Sequence, residues 1–227
     1  MDLRKLATLI ERLRREAIGA PHRVQFEDHH VFEYEEKSAK VVAILKLVRA
    51  MHGVSAMNTL CSHGLVIDFG AAARGVYDCI AEVYFLLEEY PRVSSNVDQF
   101  VRGFFEATLS GHLDAKIPQV PTKKIRAAAT RAVKGDQDEI FRGALDRIFR
   151  TFSGYIHANY AHIMEVYYQP EDSFNLLGVP DVSERLKRAE VIEQAAINLL
   201  LATWRVARTL GHDELRRDIV KFVREVK

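Results

Sequence analysis

The sequence predicts an all-α protein, a helical bundle built on long antiparallel helices with short flanking helices. Over long segments apolar residues recur every three or four positions, which is the period of an amphipathic helix. No segment shows a sustained alternation of apolar and polar residues bounded by turn signals, so little or no sheet is expected. With 227 residues, of which 48% are hydrophobic, the chain is long enough to bury a core, and we expect one domain over residues 1–227.

Four helices are predicted in the first half of the chain. The first covers residues 3–19, and after a polar connection at 22–30 the second runs from about Phe32 to Val54. Residues 57–90 form one long helix or two abutting ones, closed by Pro91 because proline disfavours helix in the residue before it. Ser94 or Ser95 then caps a helix that ends near Leu109.

The second half begins with a proline-containing loop at 112–121 and a short basic helix at 123–133. The longest predicted helix covers residues 139–168 and ends before Pro170. After an irregular stretch, Asp181 and Glu184 make a capping-box-like start for a helix that reaches Leu210-Gly211. An amphipathic helix from Asp213 completes the chain.

Charge and cysteine content exclude several classes of protein. Lys plus Arg (32) and Asp plus Glu (31) nearly cancel, so no broad basic field is available to hold nucleic acid or an anionic membrane. Cys61 and Cys79 are too few for a disulfide framework and are expected to be small buried thiols in a reducing, cytoplasmic setting. The N-terminus lacks the pattern of a signal peptide, and the most apolar run, 195–204, has about half the length of a membrane span, so no membrane partner is expected.

The segment with the most chemistry lies in the predicted helix 139–168. Seven residues at about 100° each bring Arg150 and His157 onto one face, roughly 10.5 Å apart along the axis. An imidazole exchanges protons near neutral pH and a guanidinium binds phosphate through two parallel hydrogen bonds, a pair suited to phosphodiester chemistry. Thr151, Ser153 and Tyr155 lie between the two and are candidate supporting donors.

Small residues border this face and suggest what covers it. Gly143, Gly154 and Ala161 lie along its edge, so a second helix or another subunit has room to pack there and wall the site. The simpler alternative is an intrahelical ion pair between Arg150 and Asp146, four residues earlier, with a solvated histidine.

The segment Phe149-Arg-Thr-Phe-Ser-Gly-Tyr-Ile-His157 resembles the motif of the HEPN superfamily, an arginine and a histidine separated by four to six residues. These are helical-bundle domains of prokaryotic toxins and abortive-infection proteins. The Phe152–His157 portion is similar to the signature of a poorly characterised branch, whose members also carry an upstream arginine with a glutamate eight residues later; Arg74 and Glu82 match that pair.

The resemblance implies a metal-independent endoribonuclease, without a cofactor, whose composite site forms in a homodimer. Arg150 and His157 would be its catalytic residues, RNA its substrate, and an antitoxin a partner. Active members commonly carry asparagine or aspartate directly after the arginine, where this chain has Thr151. That departure keeps open a non-catalytic helical module that binds a nucleotide or another protein.

Three further patterns have structural alternatives. Arg74, Asp78 and Glu82 form either an intrahelical ion-pair ladder or an extension of the site around His157. Glu27 and His30, with His157, His162 and Glu165, suggest a carboxylate and histidine metal site, but the repeated Glu-x-x-His pair of a di-metal bundle is missing. The basic helix is a handle for RNA phosphates or a solvated surface; its cations are Lys123, Lys124, Arg126, Arg131 and Lys134.

Overall fold

The computed structural model describes residues 1–26, 29–109, 120–134 and 139–225. It is 75% helical with a few short strands, which confirms the all-α prediction. The helices are α1 (Leu3–Ile18), α2 (Ala39–Ser62), α3 (Val66–Leu86), α4 (Ser95–Leu109), α5 (Thr122–Lys134), α6 (Glu139–Ile156), α7 (Tyr160–Ile163), α8 (Val182–Thr209) and α9 (Asp213–Glu225). Short 3-10 turns cover Met164–Val166 and Gln169–Glu171.

The core lies between α2, α3 and α8, and α1 packs on its outer side. Gly53 of α2 lets the helices approach closely, because a Cβ built there would lie 2.5 Å from the Cγ2 atom of Val76 on α3. Among the described residues, α2 is long and apolar enough to cross a membrane. However, half of its most apolar 18-residue stretch is buried inside the protein. The core helix of a globular bundle has the same properties.

Within the described residues, α2, α6 and α8 end in the same way, with a residue of left-handed backbone just beyond the C-cap. At the end of α2, Gly64 (φ +69) donates its N–H to the carbonyl of Cys61, and Leu65 donates to Leu60. This is the Schellman arrangement, and Gly211 makes it after α8, as the sequence predicts. Gly64 also separates α2 from α3, so the segment 57–90 is divided between two helices.

The connection before α2 differs from the prediction. Residues 22–30 form no simple polar connection, because β1 (His22–Phe26) pairs antiparallel with β2 (His29–Glu33), with Val24 opposite Val31. The helix start at Phe32 is wrong: α2 begins at Ala39, where the Ser38 hydroxyl accepts from the N–H of Val41. A second small hairpin pairs β3 (Tyr167–Tyr168) with β4 (Ser173–Phe174).

The predicted helix 139–168 is twelve residues too long, since α6 ends at Ile156. The apolar residues that extended the pattern, Ile156 and Ile163, are 52% and 38% exposed and do not continue a core stripe. By contrast the predicted cap of α8 is confirmed, because the Asp181 carboxylate accepts from the N–H of Ser183 at 2.7 Å. The predicted loop at 112–119 lies outside the described residues.

Both cysteines are buried free thiols, as predicted. Burial raises the pKa of Cys79 to about 11, which lowers its thiolate fraction roughly 100-fold near neutral pH. We therefore expect Cys79 of the folded protein to resist iodoacetamide at pH 8 and to react readily once guanidinium has unfolded the chain. Peptide mass spectrometry measures both rates, and equal rates would contradict the buried position.

Candidate functional site

The motif helix α6 is held by its apolar face and presents Arg150 and His157 to solvent. Phe149 is buried, and Phe152 stacks on Tyr77 of α3 with ring centroids 5.6 Å apart. Arg150 and His157 are both exposed. Within the part of the chain that the structure describes, neither side chain has a hydrogen bond or an ion pair, and the alternative pairing of Arg150 with Asp146 does not form.

His157 is the first residue beyond the helix and caps its C-terminus. Its N–H donates to the carbonyl of Ser153 at 3.1 Å, and Asn159 donates to Gly154 at 3.0 Å. Ala158, with φ +48, occupies the left-handed position and donates to Tyr155. The prediction of one helix through both Arg150 and His157 is therefore wrong, because α6 ends just before His157. His157 is held by the Schellman turn that follows the helix.

The left-handed alanine gives a stability prediction. An L-residue with a Cβ costs about 1–2 kcal/mol in this conformation, and glycine offsets part of that gain by its larger freedom in the unfolded chain. Ala158→Gly is expected to raise the free energy of unfolding by ~0.5–1 kcal/mol, measured by urea denaturation. The matched control is Ala161→Gly, since Ala161 lies in the helical turn of α7 and there the same change should be destabilising.

Arg74 fastens α6 to α3. Its side chain is buried; Nε donates to Asp78 at 2.6 Å, as the ion-pair interpretation predicts, and Nη1 donates to the carbonyl of Phe149 at 2.8 Å. The guanidinium also lies 4.9 Å from the Phe149 ring centroid, and Arg126 of α5 lies 4.1 Å from that same ring. Burial and the neighbouring Arg74 lower the pKa of Arg126. Arg74 thus contacts the residue directly before Arg150.

Glu82 makes its ion pair with α2. Its carboxylate pairs with Lys46 of α2 at 2.6 Å, and the Lys46 ammonium lies over the rings of Phe100 and Phe104. Burial raises the pKa of Glu82, and the positive charge of Lys46 opposes that shift. Of the upstream pair, the structure therefore brings Arg74 to the motif helix and places Glu82 in a separate ion pair at the α2–α3 interface.

The predicted supporting residues have different surroundings. Thr151 is exposed and Ser153 is half-buried. The Tyr155 hydroxyl donates to Glu165 at 2.7 Å, and burial together with this carboxylate raises the pKa of Tyr155. Tyr155 is therefore engaged by the protein itself and is not free to donate to a ligand.

The small-residue edge is partly occupied by the chain's own side chains. His162 covers Gly154: a Cβ built on that glycine would lie 2.1 Å from Cε1 of the imidazole. At Gly154 the element that packs on this edge is the chain's own short helix α7, through His162, and it leaves Arg150 and His157 exposed. Ala161 is exposed, and the side-chain surroundings of Gly143 lie outside the described residues.

Sequence reasoning missed the network that joins these residues. Glu165 accepts from Tyr155 and also from Arg188 of α8 at 2.9 Å. In the helix predicted through residue 168, Tyr155 and Glu165 would lie roughly 15 Å apart along the axis, at about 1.5 Å per residue. Their contact could therefore not be predicted. No sequence signal marks it, because it depends on where α6 ends.

Neither the metal nor the basic-handle pattern forms a clear site. Glu27 lies outside the described residues, His30 is exposed on β2, and among the residues described no three His, Cys, Asp or Glu side chains are placed to hold a metal ion. On α5, Arg131 pairs with Glu88 and Lys124 donates to Asn96 at 3.1 Å. Part of the basic helix is thus neutralised by its neighbours.

Comparison of the chain with models of protein families, with curated proteins and with solved structures finds no match. The HEPN resemblance therefore rests on the motif residues alone. Function has to be argued from the geometry around Arg150 and His157.

Proposed function

We propose that this protein is a cytoplasmic, metal-independent endoribonuclease, the toxin or effector of a defence system, that acts as a homodimer. The observation that supports the proposal most is the exposure of Arg150 and His157. Phe152, which lies between them, stacks on Tyr77, and Tyr155 is bonded to Glu165. Arg150 and His157, the two groups with the required chemistry, both face solvent.

The chemistry follows from the two side chains. Arg150 binds the phosphoryl oxygens and neutralises charge that develops on them. His157 takes the proton from a ribose 2′-hydroxyl, whose oxygen attacks phosphorus while the bond to the 5′ oxygen breaks. The leaving oxygen receives a proton from an imidazolium, and the products are a 2′,3′-cyclic phosphate and a 5′-hydroxyl.

A homodimer supplies what one protomer lacks. The reaction needs a base and an acid at the same time, and one motif segment carries a single histidine at the site. A two-fold axis beside α6 would bring together two copies of Arg150 and two of His157, so that one imidazole accepts a proton while the other donates one.

The decisive experiment uses the purified protein, a single-stranded RNA and excess chelator. We expect cleavage to continue with EDTA, to leave a 2′,3′-cyclic phosphate, and to stop at any position where the ribose lacks its 2′-hydroxyl. DNA of the same sequence is the matched substrate control. Absence of RNA cleavage, or equal cleavage of DNA, would refute the proposal, and a strict monomer by light scattering would remove the composite site.

A second candidate is a non-catalytic helical module that binds a partner protein. It is favoured by the exposed apolar side chains after α6: Tyr160 is 79% exposed, Leu176 82% and Leu177 94%. Such side chains are typical of an interaction surface. In this case the protein leaves RNA intact with or without chelator, and changing Leu176 and Leu177 to serine weakens partner binding.

A further inference from the structure

The turn that carries His157 is closed by aromatic packing onto two glycines. Tyr155 lies against Gly70 of α3, where a Cβ would meet the ring at 2.2 Å. His162 packs edge to face on Tyr155, with ring centroids 4.1 Å apart, and covers Gly154. The chain therefore leaves α6, passes through His157 and returns onto the end of the same helix.

A charge network, in which Arg188 is largely covered and Glu165 is exposed, closes the turn a second time. Glu165 follows α7 and accepts hydrogen bonds from Tyr155 of α6 and Arg188 of α8. The Arg188 side chain is only 12% exposed, and charge-assisted bonds of this kind are stronger than neutral ones. The carboxylate thus connects three segments of the bundle around one turn.

His162 has the surroundings of a structural side chain. Its Nδ1 atom is buried and, among the described residues, has no hydrogen-bond partner. The ring is therefore held by its fit against Gly154 and Tyr155. A residue held in this way acts through shape, and its position depends on the absence of a side chain at residue 154.

We propose that His162 and Glu165 are positioning residues that fix His157 relative to Arg150. They act through the turn of residues 157–164 and contact no reacting atom. The catalytic consequence rests on the proposed ribonuclease function, in which a misplacement of about 1 Å costs up to about 100-fold in rate. The structural consequence, a fixed environment for His157, does not depend on that function.

Three variants of the full chain test the proposal. Gly154→Ala places a methyl group in the space of His162 and is expected to displace the ring. Glu165→Gln weakens the network with little change of shape. In each we expect kcat for RNA cleavage to fall roughly 10-fold with KM within about twofold, because orientation and not binding is lost. In the His162→Ala background, Gly154→Ala should have no further effect, since the space is then free.

A readout independent of activity keeps the two proposals separate. The imidazole C–H signals of His157, assigned by their loss in His157→Ala, are expected to shift or broaden in Gly154→Ala and Glu165→Gln. Tyr167→Phe is the matched control, because it removes a similar bond from tyrosine to carboxylate, 2.8 Å to Asp172, outside the turn. That variant should leave the His157 signals and kcat unchanged.

The outcomes are distinct. If the His157 signals of folded Glu165→Gln and Gly154→Ala coincide with those of the wild type, the positioning role is refuted whatever the cleavage data. If the wild type cleaves no RNA but the signals move as expected, the ribonuclease proposal fails and the positioning of His157 stands. Should Gly154→Ala not fold, Glu165→Gln against Tyr167→Phe decides alone.

Discussion

Replacing His157 with alanine is expected to lower the rate of RNA cleavage by about 10²–10⁴-fold, the usual contribution of a general acid or base. The exposed imidazole has no hydrogen bond or ion pair within the described part of the chain, so its removal should leave stability nearly unchanged. The measurement is single-turnover cleavage with chelator present, together with urea denaturation of both proteins. A fall in rate without a fall in stability is the signature of a catalytic side chain.

Exposed residues of the same type provide the controls. His52 lies exposed on α2 and Arg147 lies exposed on α6, one turn before Arg150. Arg150→Ala should reduce cleavage by ~10²–10³-fold, the effect of losing a group that stabilises charge in the transition state. His52→Ala and Arg147→Ala should cleave like the wild type. If His157→Ala cuts as fast as His52→Ala, His157 is not catalytic.

The largest expected effect on stability follows Gly64→Ala. The left-handed backbone at this residue costs a side chain about 1–2 kcal/mol. In addition a Cβ would lie 2.7 Å from the backbone nitrogen of Val179, and that nitrogen donates to the carbonyl of Gly64 at 2.9 Å. Separating the two backbones breaks this bond at a cost of about 1 kcal/mol. We expect the free energy of unfolding to fall by ~3 kcal/mol, measured by urea denaturation.

Gly211 distinguishes the cost of the left-handed backbone from the cost of the contact with Val179. It ends α8 with the same turn and φ +78, but nothing lies within 4 Å of a Cβ built there. Gly211→Ala should therefore cost only ~0.5–1 kcal/mol, the strain of the left-handed backbone less the freedom that glycine has in the unfolded chain. An equal loss for both variants would mean that the contact between Gly64 and Val179 contributes nothing in solution.

Helix ends were predicted correctly where the residue at the end is of the type that such a position prefers. Asp181 and Gly211 delimit α8 because one is a side-chain cap and the other tolerates a left-handed backbone. The same turn after α6 escaped prediction because Ala158 occupies it, and alanine is the strongest helix former. The hairpin of β1 and β2 was missed because its strands are short and rich in histidine, and Val24 and Phe26 of β1 alternate with polar residues over too short a run to predict a strand.

The sequence predicted which residues belong to the candidate site better than it predicted their contacts. The exposure of Arg150 and the contact of Arg74 with α6 agree with helical spacing, which places residues on faces. Spacing does not reveal that Glu82 turns to Lys46 or that Glu165 bridges Tyr155 and Arg188. Those contacts depend on which helices are neighbours and on where α6 ends.

The hydrogen bond between Val179 and Gly64 also bears on folding kinetics. It joins two points more than a hundred residues apart in the chain, whereas α2 and α3 are connected by a short turn and can pair early. A contact that requires closing so long a loop is expected to form after the rate-limiting step. The part of the Gly64→Ala effect that comes from losing this bond should then mainly accelerate unfolding, whereas the part that comes from the left-handed backbone of the early turn should also slow folding. This one backbone contact would therefore lengthen the lifetime of the native state, and with it resistance to proteolysis and heat.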